Sequence, residues 1–270
     1  MSTAPTLLLP ALLLAPIAAR PVPAPAPSPA PLVAPGGKAE IEEVDVPTDD
    51  KLGLKADFYV PKKSSTRAPA VILVHDAGGN REQMTVLAER LQREGLAVLV
   101  PDLRGHGESA NGDVEWSALD DEGRAKQWAY TPRDLEAAAV WLKSRKEVHT
   151  SNLTMVGLRA GCALAVYHAA RDDKVRAVVL IEPVTEELGF DLRREVAGLA
   201  GLETKVFTSK DRENEAQIIQ ANATKANDGL EFIEIDLCKT REDELINDRR
   251  VASDVSKWIE ERVFPKKGRR

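Results

Sequence analysis

Residues 153–181 read LTMVGLRAGCALAVYHAARDDKVRAVVLI, and this stretch sets the architecture of the whole chain. Leu153–Val156 is an apolar run short enough for a strand, and Ala160–Arg171 follows with a helical length of small and apolar residues. Val175–Ile181 is again solidly apolar. A strand buried on both faces reads this way because helices cover it above and below. The strand–helix–strand unit therefore predicts a parallel sheet with crossover helices.

Working outward, the same alternation recurs. Ala39–Val46 and Leu52–Val60 alternate apolar and polar residues as half-buried strands do, and Val71–His75 and Leu96–Val100 are continuous apolar runs. Between the latter two, Glu82–Glu94 places Met84, Leu87 and Leu91 at helical spacing and stops at Gly95. Arg133–Lys146 puts Leu135, Ala138, Ala139 and Leu142 on one face behind Thr131 and Pro132, a cap and a first-turn proline. Beyond residue 181 the pattern predicts strand Thr204–Thr208, helix Asn214–Ala226, strand Leu230–Ile235 and helix Asp243–Val263. The expected fold is α/β: a mostly parallel, doubly wound sheet of about eight strands with helices on both faces. Ligands of such sheets bind at the carboxyl ends of the strands.

Residues 1–37 stand apart. They hold ten of the 17 prolines and one charge, Arg20. Leu7–Ala19 reads as a short apolar core, followed by the small residues Ala18 and Ala19, so 1–19 is expected to be a signal peptide directing export. The alternating Pro and Ala of 20–37 reads as a semi-rigid linker, leaving 38–270 as the folded domain. Losing Arg20 takes the formal charge from −6 to −7, and an acidic domain argues against nucleic acid as a partner. No stretch is long enough to span a membrane. The four histidines are scattered and the two cysteines, Cys162 and Cys238, form no metal-ligand spacing, so neither metal nor cofactor is expected.

Three segments fall at strand ends: Val74-His75-Asp76-Ala77-Gly78-Gly79-Asn80, Pro101-Asp102-Leu103-Arg104-Gly105-His106-Gly107-Glu108-Ser109, and Met155-Val156-Gly157-Leu158-Arg159-Ala160-Gly161. In this order and at these separations they resemble the α/β-hydrolases, in particular the dienelactone-hydrolase-like and serine-peptidase-like branches, over roughly residues 40–265. The resemblance implies that the third segment is the nucleophile elbow, a sharp strand-to-helix turn of pattern G-x-S-x-G. It implies an acid at Asp211, at the end of strand Thr204–Thr208, and a histidine after the last strand. It also implies oxyanion donors at the backbone N–H groups of Ala77 and Ala160, while His75 and His106 would shape the loops.

Two of the expected reactive positions are substituted. The elbow tip is Arg159, whose guanidinium only donates and cannot attack a carbonyl. No histidine follows His168; Thr240 or Arg241 stands where the base is expected. Asp211 then reads as a helix N-cap. Cys162, three residues past the tip, is the one neighbouring nucleophile, and it reads as a buried, inert thiol. A cation at a helix N-terminus opposes the dipole, so Arg159 should have an anionic partner, with Asp211 and Glu182 the strand-end candidates. Either that pair fills an obsolete pocket, or the guanidinium and the Ala77 and Ala160 N–H groups hold a small anionic ligand. The chain is accordingly expected to be a non-catalytic hydrolase homologue, the alternative being an ester or peptide hydrolase using Cys162. Trp116, Trp128 and Tyr130, within 110–130, are expected to pack down on the domain near the pocket mouth, the alternative being that this segment forms a lid.

Overall fold

The computed structural model describes residues 40–61, 67–110 and 114–264. The expected signal peptide and linker lie outside the described residues.

The pattern of the sequence becomes one eight-stranded sheet. Its strands are β1 (Ile41–Val46), β2 (Leu54–Tyr59), β3 (Ala68–Val74), β4 (Ala97–Pro101), β5 (Val148–Leu158), β6 (Val175–Ile181), β7 (Thr204–Ser209) and β8 (Ile233–Cys238). They lie in the order β1-β2-β4-β3-β5-β6-β7-β8, and only β2 runs against the rest. The helices that position the site are α1 (Thr85–Arg93), α2 (Asp121–Trp128), α3 (Pro132–Ser144), α4 (Gly161–Ala169), α5 (Glu213–Ala226) and α6 (Arg249–Val263).

The continuous apolar runs work because a strand alternates faces. In β3, Ala70, Ile72 and Val74 enter the core under α3, α4 and α5, whereas Val71 and Leu73 enter the core under α1 and α6. β6 divides likewise, with Val178 and Leu180 on the first side and Ala177, Val179 and Ile181 on the second. Residues of alternating polarity there would strand a polar group in one core or the other, so only an all-apolar strand fits. Gly95 ends α1's turn at φ +89°, as its place after Glu94 predicts.

Several bounds differ from the sequence reading, two of them beside the site. The last helix begins at Arg249 rather than Asp243, behind the short turn Glu242–Asn247, and the last strand is Ile233–Cys238, not Leu230–Ile235. Asn227–Leu230 closes a turn, with the Gly229 N–H donating to Thr224 and the Leu230 N–H to Asn227, and parallel pairing begins at Ile233 against Thr204. Turn closure thus outcompetes the β-propensity of Leu230, which is left exposed. No helix among the described residues is long and apolar enough to cross a membrane.

Candidate functional site

β5 delivers the chain to Arg159 at the carboxyl rim, and the turn there is tight. Arg159 sits at φ +49°, a left-handed conformation that a non-glycine residue adopts at a cost of about 1–2 kcal/mol. Its N–H donates to the Ile181 carbonyl at 2.9 Å, and its own carbonyl accepts from Cys162 at 3.0 Å. Gly157 and Gly161 make the turn possible. A Cβ on Gly157 would stand 2.5 Å from the Cys162 Cα, and one on Gly161 would stand 2.5 Å from the His75 carbonyl oxygen. The elbow geometry is intact; its tip residue is what differs.

The Arg159 side chain does not meet the partners expected for it. Its Nε lies 3.1 Å from Asp76 Oδ2, and one terminal nitrogen donates to Glu242 Oε1. Asp76 belongs to the loop after β3. Its Oδ1 accepts from the N–H of Ala77 at 2.8 Å and of Ala160 at 3.1 Å, so the two backbone donors expected to form an oxyanion hole are both engaged by a carboxylate of the chain itself. Burial pushes the Asp76 carboxyl above its ordinary range, against the pull of these donors and of Arg159.

Glu242 comes from the loop after β8. Burial alone would raise its carboxyl, but the bond from Arg159 and the charges of Arg212 and Arg159 bring it below the ordinary value. It also accepts from Arg212 at 2.9 Å, and Arg212 continues to Glu215 at 2.8 Å and to Glu182 at 3.7 Å. The result is one chain of charge: Asp76, Arg159, Glu242, Arg212, then Glu215 and Glu182.

The remaining expected residues are placed otherwise than the sequence reading had them. Glu182, 1 % exposed and also left-handed at φ +49°, accepts from the Ser209 N–H at 2.6 Å and the Thr208 hydroxyl at 3.3 Å, and its cation is Arg212 rather than Arg159. Asp211 neither pairs with Arg159 nor caps α5; Arg212 occupies the N-cap position without a side-chain cap, and Asp211 stands exposed in the short turn Lys210–Arg212. It lines, with Arg159, Arg241, Glu242 and Asp243, a cleft of about 260 Å³. Thr240 donates to Asp248, the N-cap of α6, which in turn accepts from the Arg250 N–H at 2.7 Å. Glu242, which opens the turn Glu242–Asn247 after β8, reaches the elbow, and Thr240 and Arg241 do not contact Arg159.

Cys162 is fully buried. Its Sγ lies 3.1 Å from the Gly157 carbonyl oxygen and 3.5 Å from that of Ile181, and burial pushes the thiol far above its ordinary value. Cys238 is free and half-buried. His75 Nε2 accepts the Leu103 N–H at 3.0 Å, so its Nδ1 carries the proton and donates to the Asp76 carbonyl at 2.7 Å. His106 is arranged alike: Nε2 accepts from the Gly78 N–H at 3.0 Å, and Nδ1 donates to the Arg104 carbonyl at 2.9 Å. Both imidazoles are fixed as neutral loop-shaping groups, with neither nitrogen free to take a proton from a nucleophile. Trp116 lies over His106 with centroids 4.4 Å apart and Trp128 is fully buried, while Tyr130 remains exposed.

Comparison with known proteins bears on the family and the fold. The family model for the dienelactone hydrolases matches residues 54–227. An uncharacterized protein of Mycobacterium tuberculosis is 31% identical over 153 residues, 57% of this chain and 48% of that one. The quorum-quenching protein AidA of Acinetobacter baumannii is 26% identical over 165 residues, 60% of this chain and 51% of its own. The chain thus spans about half the length of the curated relatives it matches. Among solved structures, the dienelactone hydrolase of Anabaena variabilis superposes with a TM-score of 0.58 at 21% identity, covering 84% of this chain and 99% of that one.

Proposed function

This chain belongs to the dienelactone hydrolase family, and we propose that within it the chain is non-hydrolytic, its elbow serving as an ion-pair node instead of a nucleophile. One observation carries the reading: the tip of the elbow is a guanidinium, and the Ala77 and Ala160 N–H groups are both taken by Asp76. Acyl transfer needs an electron pair at the tip and vacant donors where the oxyanion develops. Neither is available here. The buried His75 and His106, each with both nitrogens bonded, add support, since general base catalysis needs a ring within reach of the nucleophile.

The competing assignment, a hydrolase acting through Cys162, is opposed by that thiol's complete burial and raised pKa, which hold it as the un-ionised thiol. The test is hydrolysis of p-nitrophenyl acetate and butyrate by the full chain beside its Cys162→Ala and Arg159→Ala variants. The expected rate is that of the heat-denatured protein for all three. Multiple turnovers abolished by Cys162→Ala would overturn the proposal.

Export is part of the same proposal, supported by the apolar stretch Leu7–Ala19 and the small residues that end it. Cell fractionation with sequencing of the mature N-terminus tests it; a protein retained inside the cell with its first residues intact would overturn it.

A further inference from the structure

We infer that the space above the elbow is a monocarboxylate site whose resident occupant is the chain's own Asp76, and that a small external carboxylate enters it by displacing that side chain. The inference rests on the non-hydrolytic reading, because a working hydrolase keeps the same donors vacant for its tetrahedral intermediate.

The donor set is what a carboxylate requires. Oδ1 of Asp76 receives the Ala77 N–H at 2.8 Å and the Ala160 N–H at 3.1 Å, and Oδ2 faces Arg159 Nε at 3.1 Å. These donors come from two separate pieces of chain, the loop after β3 and the elbow with the start of α4, so they converge only in the folded protein. Two N–H groups on one oxygen and a guanidinium edge on the other describe recognition of a planar two-oxygen anion. The occupancy by Asp76 shows that the cradle accepts a carboxylate with one carbon behind it, the shape of acetate.

Charge narrows the ligand further. Glu242, Asp211 and Asp243 outnumber Arg159 and Arg241 in the lining of the adjoining cleft, and Glu187 lies within electrostatic reach of Asp76 and Arg159. A multiply charged anion such as phosphate meets more repulsion from these acids than a singly charged carboxylate does. Asp76 is also in a position to leave. Its side chain is 20% exposed, unlike the fully buried Asp134 that holds Arg104 on the neighbouring strand end. Being tethered, it competes at a high effective concentration, so the unsubstituted chain should bind free acetate poorly.

The experiment follows backbone amide shifts of Ala77 and Ala160 in the full chain during titration with sodium acetate, with sodium chloride and sodium phosphate at equal ionic strength as controls. It is run on the unsubstituted protein, Asp76→Ala and Asp76→Ala/Arg159→Ala. Asp76→Ala should show saturable shifts of the two amides with acetate, and the unsubstituted protein the same shifts at roughly tenfold or more higher acetate, because the tethered carboxylate competes. The double variant should not respond, and chloride and phosphate should leave the shifts unsaturated. In parallel, acetate should raise the melting temperature of Asp76→Ala by about 2–4 °C. The unsubstituted protein answers the question if the alanine variant does not fold. Amides of the unsubstituted protein that respond to molar acetate no more than to chloride would overturn the inference, as would an acetate response that survives loss of Arg159. Ester turnover by the unsubstituted chain would overturn the reading beneath it, and that outcome appears in a different assay.

Discussion

Arg104 and Arg159 both stand at the carboxyl rim of the sheet with carboxylates around them, yet they are held in different ways. Arg104 gives Nε and a terminal nitrogen to Asp134 Oδ1 at 2.9 and 2.7 Å, its backbone N–H to Asp134 Oδ2 at 2.9 Å, and its other terminal nitrogen to Asp50 at 2.9 Å. Both side chains of that main pair are almost wholly buried. Arg159 makes one contact each to Asp76 and Glu242, keeps 35% of its side chain exposed, and occupies a left-handed turn. The first arrangement, with the doubly bonded His75 and His106 beside it, fixes loops. The second joins three loops through single, exchangeable bonds. One part of the rim is held by buried, multiply bonded groups, and the part around the elbow is held by single ion pairs.

The sharpest way to break this comparison is to remove each arginine. Arg104→Ala leaves Asp134 buried without its cation, and unfolding by urea should show a loss of about 3–5 kcal/mol. A loss under 1 kcal/mol would mean the two sites are equivalent after all.

Acid should act on the same buried part of the rim. Burial first, and then repulsion from His106, lowers the His75 pKa to about 3, while the unfolded chain titrates near 6.5. The folded ring therefore stays neutral where the unfolded ring takes a proton. Stability is fully present above pH about 6.5 and falls as pH drops from there toward 3, by at most about 1.4 kcal/mol per unit from this ring. Urea unfolding between pH 7 and 4.5 measures the slope; a flat profile would show that the ring can be protonated in place.

Arg159→Ala should have the smallest effect. Its partners are solvent-accessible and Asp76 keeps its two backbone donors, so the melting curve should lie within about 1 kcal/mol of the unsubstituted protein. A loss matching that of Arg104→Ala would make the elbow arginine a structural keystone and would argue against an exchangeable occupant.

Much of this was legible in the chain. The apolar runs of β3, β5 and β6 and the small residues Gly157 and Gly161 depend on local sequence, because strand period and close approach act over a few residues. The substitution at Arg159 and the lack of a histidine after residue 168 are likewise statements about sequence alone. The partner of Arg159 was not legible. Asp211 and Glu182 sit on the correct rim, but their side chains are claimed by exposure and by Arg212, respectively. Asp76, the residue right after His75, was in view within the quoted loop segment, and only its acidic character beside two backbone donors hinted at its role.

What the sequence by itself determined, then, is the doubly wound sheet, the elbow, an arginine at its tip and the lack of a histidine after residue 168: each follows from residue type and short-range periodicity. Only the tertiary structure decided that Asp76 occupies the Ala77 and Ala160 donors and that Glu242 reaches Arg159 across 83 positions. The physical reason is that ion pairs between loops depend on strand register. Asp76, Arg159 and Glu242 lie in turns after three different strands, and only the folded sheet brings those strand ends to one rim.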